Sequence, residues 1–252
     1  MNEPSGELVE VDLYFRKGLR ADVFRQVVKY CCANGGTFAG SILATEGSGA
    51  RQRRFTSIYG DAVREIGTDA NELANRLSDD NFSVVKVPIW SALGITPKTP
   101  EIVTYCGISP EASECDNPPI AVVGEGWALS TPGYENMAKK LGKQCYQKFV
   151  EMCSALDPDY AAILNEDSLP SSYDLGRGRG KECFSDFFVS ERAYGSEYVS
   201  ELLRVYEDAY TERLPTGVYV STWAVFNPRQ LGIDRGIAFA RSAGVAWNLR
   251  MK

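Results

Sequence analysis

Apolar and polar positions alternate near the start of the chain and then change period. Leu8 to Phe15 sets Leu8, Glu10, Asp12 and Tyr14 against Val9, Val11, Leu13 and Phe15. Alternation of this kind, rich in β-branched and aromatic residues, predicts a half-buried strand. From Leu19 to Ala33 the apolar residues Val23, Phe24, Val27, Val28 and Cys31 share one face of a helix. Asn34-Gly35-Gly36 ends it, because glycine accepts the left-handed backbone that closes a helix. Extended segments are predicted at Thr37–Thr45, Phe82–Trp90, Glu101–Ile108 and Ile120–Leu129. Pro88 marks an edge or an irregularity in the second of these. Glu46–Gln52 is polar and rich in Gly and Ser, and Ser109–Pro119 is acidic with three prolines, so both read as loops. Thr68 or Asp69 caps a short helix reaching Leu77.

The second half is organised by a long amphipathic helix. Thr131 supplies an N-cap and Pro132 suits the first helical position. Tyr134, Met137, Ala138, Leu141, Cys145, Phe149, Met152 and Cys153 form its apolar stripe, with Lys139, Lys140, Lys143 and Lys148 outside it. Asp157-Pro158 turns the chain into a buried strand, Tyr160–Leu164. A loop follows at Asn165–Lys181, then a strand at Cys183–Val189, a helix at Ser196–Tyr206 and a strand at Gly217–Phe226. Asn227-Pro228 opens a last helix towards Ala240, and Gly244–Leu249 reads as a terminal strand or helical tail.

The order of elements predicts an α+β fold: a mixed, mainly antiparallel sheet packed by amphipathic helices. The two α/β halves read alike, so two related lobes or one continuous sheet both fit. No Pro/Ser-rich linker separates two cores, and residues 1–252 are expected to form a single α+β domain.

Composition narrows the chemistry. The 252 residues contain no histidine, which removes Ser-His-Asp and Cys-His catalysis and histidine metal sites. Seven cysteines, an odd number without a Cys-x-x-Cys, read as buried reduced thiols of a cytosolic protein. Neither a metal nor a cofactor is expected. The N-terminus lacks the pattern of a signal peptide, and no apolar run is long enough to span a membrane. The net charge of −6 is unevenly spread. Residues 101–170 hold 4 basic and 11 acidic residues, a net of −7, whereas residues 1–100 are neutral. An acidic region of this kind repels phosphates and suits a basic partner, which makes nucleic acid an unfavourable ligand.

Three local patterns invite chemistry. Gly176-Arg-Gly-Arg-Gly-Lys181 resembles a phosphate loop but has Leu175 and Glu182 where the motif needs Gly and Ser or Thr. Arg177, Arg179 and Lys181 remain anion-binding candidates through an electropositive glycine loop. With Arg51, Arg53 and Arg54 they would form a nucleotide or nucleic-acid site if both loops converged. Gly124-Glu125-Gly126-Trp127 places a carboxylate beside an aromatic ring. Glu125 would act as a glycosidase-like acid only with a second carboxylate about 5 to 9.5 Å away. Asp186 and Asp159 are the candidates for that role, and a tight bend is the competing reading of the glycines. Finally, Glu166, Asp167, Tyr173 and Asp174 combine acidic charge with an aromatic ring in one loop, a composition suited to partner contacts.

Three segments of the second half carry a family resemblance. Asp157-Pro158-Asp159-Tyr160-Ala161-Ala162-Ile163 follows a long helix, Gly217-Val-Tyr-Val-Ser-Thr222 is a Gly-led strand ending in hydroxyl residues, and Phe226-Asn-Pro228 leads into a closing helix. Together they resemble the immunity protein 52 family of bacterial polymorphic toxin systems. The resemblance implies a cytoplasmic, non-catalytic protein that binds and neutralises a toxin encoded nearby. Glu166, Asp167, Tyr173 and Asp174 would then be its partner-binding residues.

Overall fold

The computed structural model describes residues 8–15, 20–39, 42–46, 63–67, 82–94, 99–106, 120–125, 135–165, 186–207 and 209–221. The described strands are β1 (Leu8–Tyr14), β2 (Thr37–Phe38), β3 (Ile42–Glu46), β4 (Val63–Gly67), β5 (Phe82–Trp90) and β6 (Glu101–Cys106) in the first half. They continue with β7 (Ile120–Glu125), β8 (Tyr160–Asn165), β9 (Asp186–Ser190), β10 (Tyr210–Leu214) and β11 (Gly217–Ser221). The described helices are α1 (Arg20–Ala33), α2 (Glu135–Leu156), α3 (Glu191–Tyr194) and α4 (Ser196–Val205).

All of these strands join one 11-stranded sheet in the order β10-β11-β9-β8-β1-β7-β6-β5-β3-β4, with β2 also on β5. Every described ladder is antiparallel. The fold is α+β, built on one continuous sheet. β1 lies at its centre, between β7 and β8, and α2 connects those two neighbours.

The alternation in β1 splits the core in two. Val9, Val11 and Leu13 face a cluster built with Phe24, Val27 and Val28 of α1 and Cys145, Phe149 and Met152 of α2. Tyr14 faces the opposite cluster, with Tyr160, Phe187, Val218 and Val220 of the sheet and Val199 and Leu202 of α4. The sheet is therefore covered on both faces at its β8–β9–β11 side. This corrects the half-buried reading of the first strand: Asp12 is 1% exposed and Tyr14 5% exposed on the face taken as solvated.

Most predicted elements are present with shifted ends. Thr37–Thr45 is two strands, and β3 extends through Glu46, which the sequence places in a loop. The β9 strand is described from Asp186 and runs into Ser190, while the predicted start at Cys183 lies outside the described residues. β4, α3 and β10 were not anticipated; YTERL in β10 is polar, as befits a position at the end of the sheet order. The α2 stripe is buried from Leu141 to Cys153, but Met137 is 39% exposed and lies outside the core. The predicted cap at Thr131-Pro132, the helix ending at Leu77, the Ser109–Pro119 loop and everything after Ser221 lie outside the described residues.

Two glycine sites show local geometry set by sequence. Gly35 has φ +93° at the α1 terminus, as the Asn-Gly-Gly stop predicts, and the Gly36 N–H donates to the Cys31 carbonyl at 2.9 Å. At Gly217 the backbone of β11 approaches β9 so closely that a Cβ would lie 2.1 Å from the Val189 carbonyl oxygen and 2.9 Å from the Phe188 ring. Neither neighbour is the free end of a flexible side chain, so the strand has to move. Gly217→Ala should therefore destabilise the fold by about 1–3 kcal/mol or more, as overpacking does. Chemical denaturation measures this; an unchanged midpoint would show that the close approach is absent.

Candidate functional site

The register gathers many strand ends at one end of the sheet. Leu8, which opens β1, stands opposite Glu125, the last residue of β7. Val9 stands opposite Asn165, the last residue of β8. Ile163 pairs with Asp186, the first residue of β9, and Asp186 pairs with Ser221, the last of β11. Ser221 in turn faces Tyr210 at the start of β10. The stretches 126–134 and 166–185, and the chain before Leu8 and after Ser221, all join the sheet at this end. Segments carried on a rigid scaffold in this way are where binding residues concentrate.

Glu166, Asp167, Tyr173 and Asp174 lie outside the described residues, as do Arg177, Arg179, Lys181, Arg51, Arg53 and Arg54. The structure fixes the two anchors of the 166–185 stretch, Asn165 and Asp186, on adjacent antiparallel strands. Glu125 is described and half-buried. Neither proposed carboxylate partner comes near it. Asp186 is three strands away, about 14 Å at the usual strand spacing, and on the other face of the sheet. Asp159 precedes Tyr160, which pairs with Tyr14 at the far end of β1. The residues that do share the face of Glu125 are Glu10 and Asp12 of β1, Thr104 of β6 and Lys86 of β5. Sequence reasoning missed this grouping because it depends on the order β1-β7-β6-β5, which no local pattern encodes.

The remaining charged and hydroxyl groups tie elements together. Asp157 ends α2 with φ +46°, a conformation Asp tolerates better than most residues. Its N–H donates to the Cys153 carbonyl at 3.0 Å. Its carboxylate accepts from Ser190 Oγ at 2.9 Å and from Arg192 Nε at 2.5 Å. Arg192 also donates to the Asp157 carbonyl and reaches Asp159 Oδ1 at 3.1 Å. The Asp157-Pro158-Asp159 segment is thus a latch between the α2–β8 turn and the β9–α3 turn. Glu101, fully buried, accepts from the Ala92 N–H at 3.0 Å and closes the turn between β5 and β6.

A tyrosine cluster fastens β10 and β11 to α2. Glu212 Oε2 accepts from Tyr210 Oη at 2.9 Å and from Tyr146 Oη. The Tyr146 and Tyr219 rings lie 5.3 Å apart, and Phe149 packs on Tyr219 at 5.7 Å. Beneath them Tyr219 Oη donates to Asp186 Oδ1 at 2.6 Å. Asp186 is completely buried, and burial pushes its carboxyl up to about 7, opposed in part by the Ser221 and Tyr219 hydroxyls.

The described thiols are inert by environment. Cys31, Cys145 and Cys153 are buried and Cys32 is partly so, and all four are free. Burial pushes Cys31 up to about 12 and raises Cys145, Cys153 and Cys32 as well. Among the described residues no three or more His, Cys, Asp or Glu side chains are placed to hold a metal ion. No described helix is long and apolar enough to cross a membrane.

Two outcomes follow from these contacts. Arg192→Ala removes the guanidinium from a 4%-exposed Asp159 carboxylate and from Asp157. Because Arg192 itself is half exposed, the loss should be about 1–2 kcal/mol in chemical denaturation. An effect within experimental error would mean that the latch is not formed. Alkylation of the folded protein at pH 8 should modify Cys32 before the other three described thiols, with Cys145 and Cys153 labelled only on unfolding. Rapid labelling of Cys145 in the native state would contradict its burial.

No protein-family model matches the chain, and no curated protein matches it. Among solved structures the chain is similar to the Pseudomonas aeruginosa T6SS protein PA0821, at 10% sequence identity and a TM-score of 0.49. That alignment covers 97% of this chain and 73% of the other.

Proposed function

We propose that this chain is a non-catalytic, cytoplasmic binding protein of the immunity type, which neutralises a cognate toxin by covering it with an acidic, aromatic-containing surface. The observation that carries this reading is the segregation of charge. Residues 101–170 have a net charge of −7, and the strand ends of this region, Glu125 and Asn165, meet at one end of the sheet. Glu166 and Asp167 follow Asn165 directly in sequence. A concentrated acidic surface accelerates encounter with a basic partner, and aromatic side chains supply the buried anchors. The role of the described polar groups as inter-element ties also supports a scaffold whose function lies on its surface.

The partner is sought by co-expressing the chain with the product of the adjacent gene. The two should copurify, and the neighbour should be toxic alone and harmless in the complex. Reversing Glu166, Asp167 and Asp174 together to Lys should slow association at least tenfold and flatten its salt dependence. Tyr173→Ala should weaken binding mainly through faster dissociation. A complex whose affinity and salt dependence are unchanged by the triple reversal would remove these residues from the interface. Failure to form any complex with a non-toxic neighbour would end the immunity reading.

A further inference from the structure

We propose that Asp186 is a proton-controlled latch, which as a neutral acid holds the end of β9 to β11 and which loosens that end of the sheet when it ionises. Asp186 opens β9 and is fully buried between β8 and β11. One oxygen, Oδ1, accepts from Tyr219 Oη at 2.6 Å. The other, Oδ2, is buried and makes no hydrogen bond of standard geometry, although the fully buried Ser221 hydroxyl is close enough to act on it. A carboxylate has no proton to offer, so this oxygen could then only accept, from the Ser221 hydroxyl. A carboxylic acid supplies one, so that Oδ2–H donates to Ser221 Oγ while Oδ1 still accepts from Tyr219.

The surroundings favour the acid. On β8 the facing residue is Ile163. On β11 the facing groups are Tyr219 and Ser221, both neutral. On α2 they are Cys145, whose thiol is held neutral by burial, and Tyr146, which reaches the site through the Tyr219 ring. On β10, Tyr210 and Glu212 lie beyond the same ring, and Glu212 adds negative charge. Lys148 and Glu101 act on Cys145 from further off. Among the described residues no cation is ion-paired with Asp186. Burial of an unpaired charge is costly, so the native fold retains the proton to near-neutral pH, consistent with a carboxyl raised from 3.8 to about 7.

The sign of the linkage follows. The native state binds this proton more tightly than the unfolded chain, so its contribution to stability is complete below about pH 4. It declines as pH rises towards 7 and is gone above it. On ionisation the negative charge can be hydrated only if the end of β9 and β11 parts to admit water. That is the end at which the 166–185 stretch joins the sheet, so the latch places a proton-sensitive joint at the root of the segment.

Infrared difference spectroscopy of the intact chain, with carbon-13 at the Asp carboxyls, tests the protonation directly. A carboxylic-acid carbonyl band should be present at pH 6 and lost by pH 8.5, and Asp186→Asn should lack it at both. Hydrogen exchange, expressed as protection factors, should then show Tyr219 and Ser221 amides losing at least tenfold protection between those pH values in the wild type and keeping it in Asp186→Asn. The unfolding equilibrium constant of the wild type should rise about tenfold per pH unit between about pH 4 and 7 relative to the variant, and level off above that. If the variant does not fold, the wild-type band decides. Absence of an acid band at pH 6, or an acid band with protection unchanged through its loss, would overturn the proposal.

Discussion

Burial of β1 on both edges and both faces is the constraint on which the structure depends. Every residue from Val9 to Leu13 is registered against both β7 and β8, so the backbone hydrogen bonds of this strand are satisfied by segments from distant parts of the chain. Those two neighbours run in the same direction, and a chain can join them only by crossing the sheet. The long α2 helix makes that crossing, and its Cys145, Phe149 and Met152 bury themselves against the face that β1 presents. Apolar burial and backbone pairing are therefore one cooperative event. The turn out of α2 must then return the chain in register, which is what the Asp159 N–H to Tyr14 carbonyl bond at 2.8 Å and the Arg192 latch accomplish.

This dependence explains what could be read from the sequence. The α1 and α2 stripes are local periodicities, and both helices lie where the spacing of Val23 to Cys31 and Leu141 to Cys153 places them. The Gly35 stop and the Asp157-Pro158 turn are equally local, because one residue's backbone preference sets each of them. The role of Asp12 was not legible. Its alternation marks it as solvent-facing, yet it is buried and registered opposite Ala162 of the second cluster, a layer that only the tertiary arrangement reveals. β10 failed for a related reason: Thr211, Glu212 and Arg213 show no apolar period, and the strand is held by β11 and by the Tyr146 hydroxyl contributed from α2. For the candidate site, sequence identified Glu125 and Asp186 as carboxylates of interest but could not place them. Their separation across three strands follows from an order set by non-local pairing.

The same geometry accounts for segments 157–163 and 217–221. Asp157 to Ile163 forms the exit from α2 and most of β8, and Gly217 to Ser221 is β11. Asp157 needs a left-handed backbone and a guanidinium; Gly217 needs to lack a side chain. These are requirements of folding, and a scaffold can meet them whatever it binds. Under the proposed function, recognition would then draw on residues outside these folding requirements.

Buried polar groups at this sheet also differ in what they demand. Glu101 gains a backbone N–H, and Asp159 gains Arg192, so each carboxylate is compensated where it lies. Asp186 gains only hydroxyls. A hydroxyl can donate to a carboxylate or accept from an acid, whereas an arginine fixes its partner as charged. The hydroxyl environment of Asp186 therefore leaves two protonation states open at a site where the surrounding apolar packing favours the neutral one. In a chain whose middle third is strongly acidic, a neutral Asp186 also withholds one further negative charge from the interior, so holding the proton and keeping β9 seated between β8 and β11 are the same requirement.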